Sequence, residues 1–478
     1  MFAPDVYARR RERFLEALHR RGIVAGHFLL LGNNNAPRNY PLNCYKFRQD
    51  SSWLYLVGLA LPNLALSLDI ELGETVLYAD PVDIDDIIWT GELPSPLDLA
   101  AQAGIERSAP RSALRALVER AIRAHRALFI LPPYRAEHAA YFDELLRAET
   151  SAPAAALAQT SALARHVDPR VIQALIELRE IKEAEEITEI EKAVTLTAAI
   201  HQDILHDLRP GWTEKRAADY VLSRASARGC ELSFSTIATC RGEVLHNAPT
   251  EYVAGEHDTF LLDAGAEASS GYAGDLTTSF PVGKGFSPRS RDIYMVLQRA
   301  FAIATASLAP GVRFIDVHTK TAIAIAEGLT SLGIMKGDPR EAVEAGAHAL
   351  FFPHGVGHQI GLDVHDMEAL GEDFVGYGEE LRRSAQFGLR SLRLAKTLKP
   401  GMVHSVEPGI YFIPQLARKW HADRICTTFI NYDIIGEWMA VRGVRIEEDW
   451  CVTESGARRL GPAFNKSADA LESARLTI

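Results

Sequence analysis

The sequence predicts an α+β protein of two domains, a mixed α/β domain at the N-terminus and a pseudo-twofold α+β domain after it. Three observations carry that prediction. The chain has 478 residues, more than one ordinary hydrophobic core organises. A stretch poor in large apolar side chains, residues 151–170 (SAPAAALAQTSALARHVDPR), separates two regions of denser apolar patterning, as a crossing between domains does. Beyond it, two helix–Pro-Gly–helix–strands units follow one another, with Pro210-Gly211 and Pro310-Gly311 at matching places 100 positions apart. The expected domains are 1–168 and 169–478.

In chain order, HFLLL at 27–31 and LSLDI at 66–70 are apolar, β-favouring runs that predict strands, and 112–125 has helical spacing. Residues 151–170 predict a short helix and the crossing. One long helix is expected over 171–208, ended by Pro210-Gly211. Thr213 is a suitable N-cap for a second helix that stops at Gly229, and strands then run to about Val282. Ser287-Pro288 opens the next helix, which stops before Pro310-Gly311; a further helix covers 314–332, and strands follow again.

Composition narrows the function. Hydrophobic residues make up 47% and charged residues 24%, the balance of a globular protein, and the net charge of -11 opposes a phosphate backbone. Nucleic acid is therefore not an expected partner. Cys44, Cys230, Cys240, Cys426 and Cys451 are odd in number and lack C-x-x-C spacing, which predicts reduced thiols rather than a disulfide frame or a thiolate zinc site. The opening MFAPDVYARRRERFLEAL is a charged amphipathic pattern without an apolar export segment, and no run has the 18 or so apolar residues of a membrane span. A cytoplasmic protein without a membrane partner is expected.

The chemistry concentrates in four segments. In FLLDAGAEASSGYAGDLTTSFPV, Asp263 and Asp275 flank a Ser-Ser-Gly turn between two β-favouring runs. A hairpin there puts both carboxylates on one face, where their repulsion at neutral pH calls for a cation. The segment alone equally admits two turn aspartates in solvent. In FFPHGVGHQIGLDVHD, His354, His358 and His365 lie within twelve positions among glycines that disfavour a helix and allow close approach. A strand or loop carrying a histidine site is expected. Glu407 in VHSVEPGIYF and Glu447 in GVRIEED each lie on an apolar, β-branched run, costly to bury without a partner; singly, each reads as solvent-facing. Together the segments offer four carboxylates and one or more imidazoles, a hard donor set suited to a pair of Mn²⁺, Co²⁺ or Fe²⁺ ions. Two such ions can activate a water and polarise a carbonyl together.

The order D-A-G…G-D, H-G-x-G-H…G-L-D-V-H-D, V-E-P-G and R-I-E-E-D resembles the pita-bread metallopeptidases, the family of aminopeptidase P, prolidase and methionine aminopeptidase. YKFRQDSSWLYLVGL at 45–59 resembles the N-terminal domain of its proline-specific branch. The resemblance implies a C-terminal pita-bread domain holding two divalent ions, Mn²⁺ being the first expectation with Co²⁺, Fe²⁺ and Zn²⁺ also accepted. It implies that Asp275 and Glu447 bridge the ions, that Asp263 completes one site, and that His358 and Glu407 complete the other. His246, His354 and His365 match histidines that line the site and hold substrate or stabilise the tetrahedral intermediate, and Arg445 matches an arginine orienting the bridging glutamate. Glu407 is the expected proton shuttle. One departure is a turn between Asp263 and Asp275 that is one residue longer than in the relatives; an insertion within AEASSG keeps both aspartates on one face, whereas one in a strand flips a ligand away.

FGLRSLRLAKTLKPGMVHSVEPGIYF and the insertion at 413–441 resemble prolidases of the eukaryotic type. There the arginine matching Arg393 pairs with the free carboxylate of a dipeptide, which a guanidinium grips with two parallel hydrogen bonds. Alternatively, Arg390 and Arg393 belong to a basic loop with Arg382, Arg383 and Lys396. The expected function is hydrolysis of Xaa-Pro bonds at peptide N-termini, dipeptides favoured, with aminopeptidase P action on longer peptides as the alternative and a non-catalytic binding protein as the remote one. Proline-containing short peptides are the expected partners, and a homodimer or homotetramer the expected assembly.

Overall fold

The structure is a computed structural model, and it describes residues 2–146, 162–379 and 381–476. It divides into two compact units, one running to Arg179 and one from Glu180 onward. The first contains α1 (Pro4–Arg20), β1 (His27–Leu31), α2 (Ser51–Leu56), β2 (Ala65–Asp69), β3 (Thr75–Tyr78), α3 (Ile84–Thr90), α4 (Pro96–Gln102), β4 (Arg107–Ala109), α5 (Ser112–Arg123), β5 (Leu128–Ile130), α6 (Ala136–Leu146) and most of α7 (Pro169–Glu180). Its sheet has the order β4-β3-β2-β1-β5, mixed in direction: β1 is antiparallel to β2 and parallel to β5. The central strands β1 and β2 are buried at every position, and β1 accordingly reads as a nearly unbroken apolar run. Within the 151–170 stretch, where a short helix is expected, Ala162–Arg165 forms a 3₁₀ turn, and residues 151–161 lie outside the described residues.

The helix expected over 171–208 is two helices, α7 and α8 (Ala184–Asp207). The break has a tertiary cause. The Lys182 N–H leaves the helical ladder and donates to the Gly401 carbonyl (2.8 Å), while its ammonium reaches Asp366 Oδ2 at 2.7 Å with both side chains 1% exposed. Glu183 and Glu186 then form a reciprocal cap that restarts the helix.

The second unit continues with α9 (Glu214–Ala227), β6 (Glu231–Leu232), β7 (Ile237–Thr239), β8 (Thr259–Ala264), β9 (Ala266–Glu267), β10 (Leu276–Pro281), α10 (Pro288–Ala306), α11 (Phe314–Ser331), α12 (Pro339–Glu344) and α13 (Glu372–Gly376). It ends with β11 (Val403–Val406), β12 (Gly409–Tyr411), α14 (Pro414–Ala422), α15 (Tyr432–Trp438), β13 (Gly443–Arg445), β14 (Glu448–Val452), β15 (Ala457–Arg459) and α16 (Ala468–Leu476). Its strands form sheets ordered β10-β8-β7 and β11-β14-β15 with two strand pairs, β12-β13 and β6-β9.

The repeat is visible in the backbone bonding. In the first half Gly211 N–H donates to Ala254 O, Ala254 N–H to Trp212 O, and Glu214 N–H to Tyr252 O (2.8, 2.8 and 3.1 Å). In the second half Gly311 N–H donates to Leu398 O, Leu398 N–H to Val312 O, and Phe314 N–H to Lys396 O (2.9, 2.8 and 3.0 Å). Each Pro-Gly connection thus pairs with a later strand segment in the same pattern, and Thr213 caps α9 as expected, through its hydroxyl. The two halves share one core, in which Ile204, Phe260, Phe280, Tyr294, Phe314, Ile325 and Val406 are buried. They meet where Thr277 of β10 bridges Glu447, at the β13–β14 junction. This is the pita-bread architecture with a separate mixed α/β domain before it. Among the described residues no helix is long and apolar enough to cross a membrane, and the five cysteines are free thiols.

Candidate metal centre

Five of the sequence-predicted site residues converge at that junction. Asp263 and Asp275 come from the first half; His358, Glu407 and Glu447 come from the second. The hairpin places the aspartates differently from expectation. β8 and β10 pair Asp263 with Thr277 and Ala264 with Leu276, so the turn centres on Ser270, and Asp275 lies diagonal to Asp263 rather than opposite. A two-residue offset preserves the face. Gly271 at the turn has φ +88°, a left-handed conformation that glycine adopts without strain.

His354, His358 and His365 lie on an irregular loop, as the glycines imply. Gly357 is fixed by close approach: a Cβ there would stand 2.2 Å from the Ser405 carbonyl oxygen of β11. That contact lets Ser405 N–H donate to His358 O (2.9 Å) and Glu407 N–H donate to Val356 O (2.7 Å), setting the histidine and the glutamate side by side. Gly357→Ala is expected to cost on the order of 1–3 kcal/mol by overpacking and to reduce turnover more than the stability loss explains. Gly436→Ala, where a Cβ meets nothing within 4 Å, is the control. Thermal melts and turnover of both variants check this.

The electrostatics of the cluster suit a cation. His358 Nδ1–H donates to the Gln359 carbonyl (3.2 Å), which leaves the Nε2 lone pair facing Asp275 Oδ2 at 3.5 Å, Glu407 Oε1 at 3.5 Å and Glu447 Oε1 at 3.9 Å. Three carboxylates gathered around one ring nitrogen repel one another while ionised, unless positive charge sits among them. The carboxyl groups record the same strain. Burial, then Asp263 and Glu407, push Asp275 well above the usual carboxylate range, and burial, then Asp275, do the same to Glu447. Burial, then Glu447, raises Glu407 to about 8. Asp263 Oδ1 and Asp275 Oδ1 are buried with no hydrogen-bond partner among the described residues. Orphaned carboxylate oxygens, a free imidazole lone pair and mutual repulsion fit hard divalent ions; Asp275, His358 and Glu447 alone bring ligand atoms within 4.8 Å of one another.

Arg445 departs from expectation. Its guanidinium holds Asp263 directly, Nη2 to Oδ2 at 2.5 Å, and reaches the glutamate only through Thr277: Nε donates to Thr277 Oγ1 (3.1 Å), whose hydroxyl donates to Glu447 Oε2 (2.6 Å). Nη1 donates to the Tyr411 hydroxyl (2.8 Å), which stands 2.9 Å from His354 Nε2. His354 is neutral, its pKa lowered to about 3 by burial and then by Arg445. His365 stacks on His358, ring centroids 3.9 Å apart, and its Nδ1–H donates to Glu368 Oε2 (3.2 Å). Burial, then His358, lowers its pKa to about 4. His246 is exposed on the 240–250 loop, close enough to His354 to influence its proton affinity. Arg393 joins through Glu368, whose Oε2 accepts from its Nη1.

Several partners escaped the sequence reading. Asp449 accepts the Asp275 N–H (2.9 Å), and Lys466 Nζ donates to the Glu447 carbonyl (2.6 Å). Buried Glu214 accepts from Cys240 N (2.9 Å) and Thr250 N (3.1 Å), tying both ends of the His246 loop. Asp449, second after Glu447 in an acidic run, was the one with a visible signal.

A set of four carboxylates and an imidazole, all but the half-buried Glu407 fully buried, held on a two-half pita-bread scaffold, defines a metallopeptidase. Residues 188–454 match metallopeptidase family M24, and residues 7–129 match the aminopeptidase P N-terminal domain. The chain belongs to metallopeptidase family M24. It is 28% identical over 457 residues to a probable Xaa-Pro aminopeptidase of Metarhizium acridum, covering 92% of this chain and 82% of that one. It is 26% identical over 483 residues to the Xaa-Pro dipeptidase of Homo sapiens, covering 95% and 90%. Among solved structures, proline aminopeptidase P II from Yersinia pestis superposes with a TM-score of 0.80 at 26% identity over the whole of both chains. Aminopeptidase P from E. coli with the inhibitor Pro-Leu gives 0.80 at 25% identity, over 100% and 99%.

Proposed function

We propose that this metallo-exopeptidase hydrolyses the bond between an N-terminal residue and a following proline, with dipeptides preferred. The carrying observation is the contact chain His358–His365–Glu368–Arg393, which ties a guanidinium to a metal-ligand residue. A dipeptide ends one residue beyond the scissile bond, so its free carboxylate is the group such an arginine would grip.

Two divalent ions, Mn²⁺ first and Co²⁺, Fe²⁺ or Zn²⁺ as substitutes, would be held by Asp263, Asp275, His358, Glu407 and Glu447. When bound, they supply Lewis-acid polarisation of the carbonyl and an acidified water. The side chains do the rest. Glu407, a carboxylate beside the scissile bond in this reading, would take a proton and return it to the proline nitrogen, a tertiary amide that leaves poorly unless protonated. His365 has Nδ1–H committed to Glu368, so its Nε2 is left as an acceptor. His246 has no hydrogen-bond partner among the described residues and is the histidine free to donate to the developing oxyanion. Asp263 would receive the substrate's α-amino group. The convergence of all five donors leaves a non-catalytic binding role without structural support. The free thiols favour the reducing cytoplasm, and the strongly exposed Leu42 and Trp89 are apolar surface that a homo-oligomer would cover.

The second reading, aminopeptidase P action on longer peptides, is favoured by the pairing of Arg393 with two protein carboxylates and by the names of the fungal relative and both solved structures. Steady-state kinetics on Ala-Pro and Ala-Pro-Ala separates the two. Arg393→Ala is expected to raise KM for the dipeptide about 10- to 100-fold, the loss of a charge-assisted hydrogen bond, and to leave the tripeptide nearly unchanged. Equal effects would return the assignment to aminopeptidase P.

A further inference from the structure

Arg393 sits in a closed network of charges. Its Nη1 donates both to Glu368 Oε2 (2.5 Å) and to Glu372 Oε1 (3.1 Å). Glu372 uses its other oxygen to accept from Arg383 Nη2 (3.0 Å), and Arg383 Nε donates to Asp373 Oδ1 (2.8 Å). Two guanidinium groups are thus matched against three carboxylates, so the network is already more than neutralised. Glu368 is the least exposed of the acids on Arg393, 17% against 45% for Glu372. Arg393 Nε and Nη2 have no protein partner among the described residues.

We propose that Glu368 is a specificity-determining residue: its carboxylate occupies Arg393 in competition with the substrate's C-terminal carboxylate and so limits the preference for dipeptides over longer Xaa-Pro peptides. This rests on the reading that Arg393 receives that carboxylate. With Nη1 shared by two acids, the end-on fork of the guanidinium is closed and only the side-on Nε–Nη2 pair remains for a bidentate grip. A carboxylate arriving there shares one guanidinium with two others in a partly desolvated setting, where like charges repel strongly. A longer peptide presents a neutral amide at the same place and meets no such repulsion. Glu368 therefore acts as a built-in stand-in for the product carboxylate, and its charge sets how much a free C-terminus is worth.

Glu368→Gln tests this because it removes the charge while its amide oxygen still accepts the His365 N–H. With metal-loaded enzyme, the ratio of KM for Ala-Pro to KM for Ala-Pro-Ala, and the ratio of Ki for proline to Ki for prolinamide, which lacks the carboxylate, are each expected to fall about 3- to 10-fold. Glu372→Gln touches Arg393 without touching His365, and is expected to shift the same ratios in the same direction by less. It also decides the matter if Glu368→Gln does not fold. Unchanged or raised ratios in these variants, with Arg393→Ala still selective for the dipeptide, would overturn the competition while leaving Arg393 as the receptor. If Arg393→Ala affects both substrates alike, the receptor reading fails instead.

Discussion

Asp275→Asn is expected to abolish turnover and metal binding while leaving the metal-free protein at least as stable as the parent. Asp275 is 4% exposed, and asparagine has nearly its shape, so no cavity opens. Its N–H, held by Asp449, is untouched. What changes is charge. Four carboxylates crowd one imidazole, and Asp275 is among those pushed furthest from the usual carboxylate range, by burial and then by Asp263 and Glu407. Removing one of the four relieves repulsion in the metal-free state and deletes a ligand in the loaded one. Turnover is expected to drop by more than about 100-fold, the upper end of what losing an outer-shell partner alone costs. The metal-free melting temperature should hold or rise, and the rise on adding Mn²⁺ should shrink or vanish. The melting curves matter because a merely misfolded variant would melt lower with and without metal. A variant with full activity and unchanged metal content would remove Asp275 from the centre.

The candidate ligands were legible through their order along the chain rather than one by one: singly, Asp263, Asp275, Glu407 and Glu447 each admit a solvent-facing reading, and the resemblance is what joins them to His358 as one set. What stayed hidden depends on distant partners. Residues 181–183 have good helical propensity, and nothing nearby shows that Lys182 must reach Gly401 and Asp366; tertiary bonds override the local preference. The hairpin was legible but its centre was not, since Ser269 and Ser270 are equally good turn residues and the Asp263–Thr277 pairing decides between them. Arg445 was legible as a support, yet its grip on Asp263 rather than Glu447 depends on which strand faces it. Glu368 was invisible: in MEALGED it is one acid among three, and only the His365 and Arg393 contacts distinguish it.

The stabilisation conferred by metal is expected to grow as pH rises from about 5 to 8. In the metal-free protein Glu407 has its pKa raised to about 8, and Asp275 and Glu447 lie well above their usual values, whereas the unfolded chain titrates near 4. Over that window the folded state binds more protons than the unfolded one, so metal-free stability falls as pH increases. The contribution is complete below the unfolded pKa and is lost through the folded one. For Glu407 alone the span corresponds to something on the order of 5 kcal/mol. Divalent ions compete with those protons for the same oxygens, so loading becomes more favourable as the protons leave. Melting temperatures measured with chelator and with saturating Mn²⁺ at pH 5.5, 6.5, 7.5 and 8.5 should therefore diverge, by roughly 5–10 °C across the series. Comparing the two curves at each pH cancels titrations elsewhere in the protein, which both forms share. A gap that stays constant, or narrows with rising pH, would mean that these carboxyls are not protonated in the metal-free protein, and the argument for a cation from their crowding would go with it.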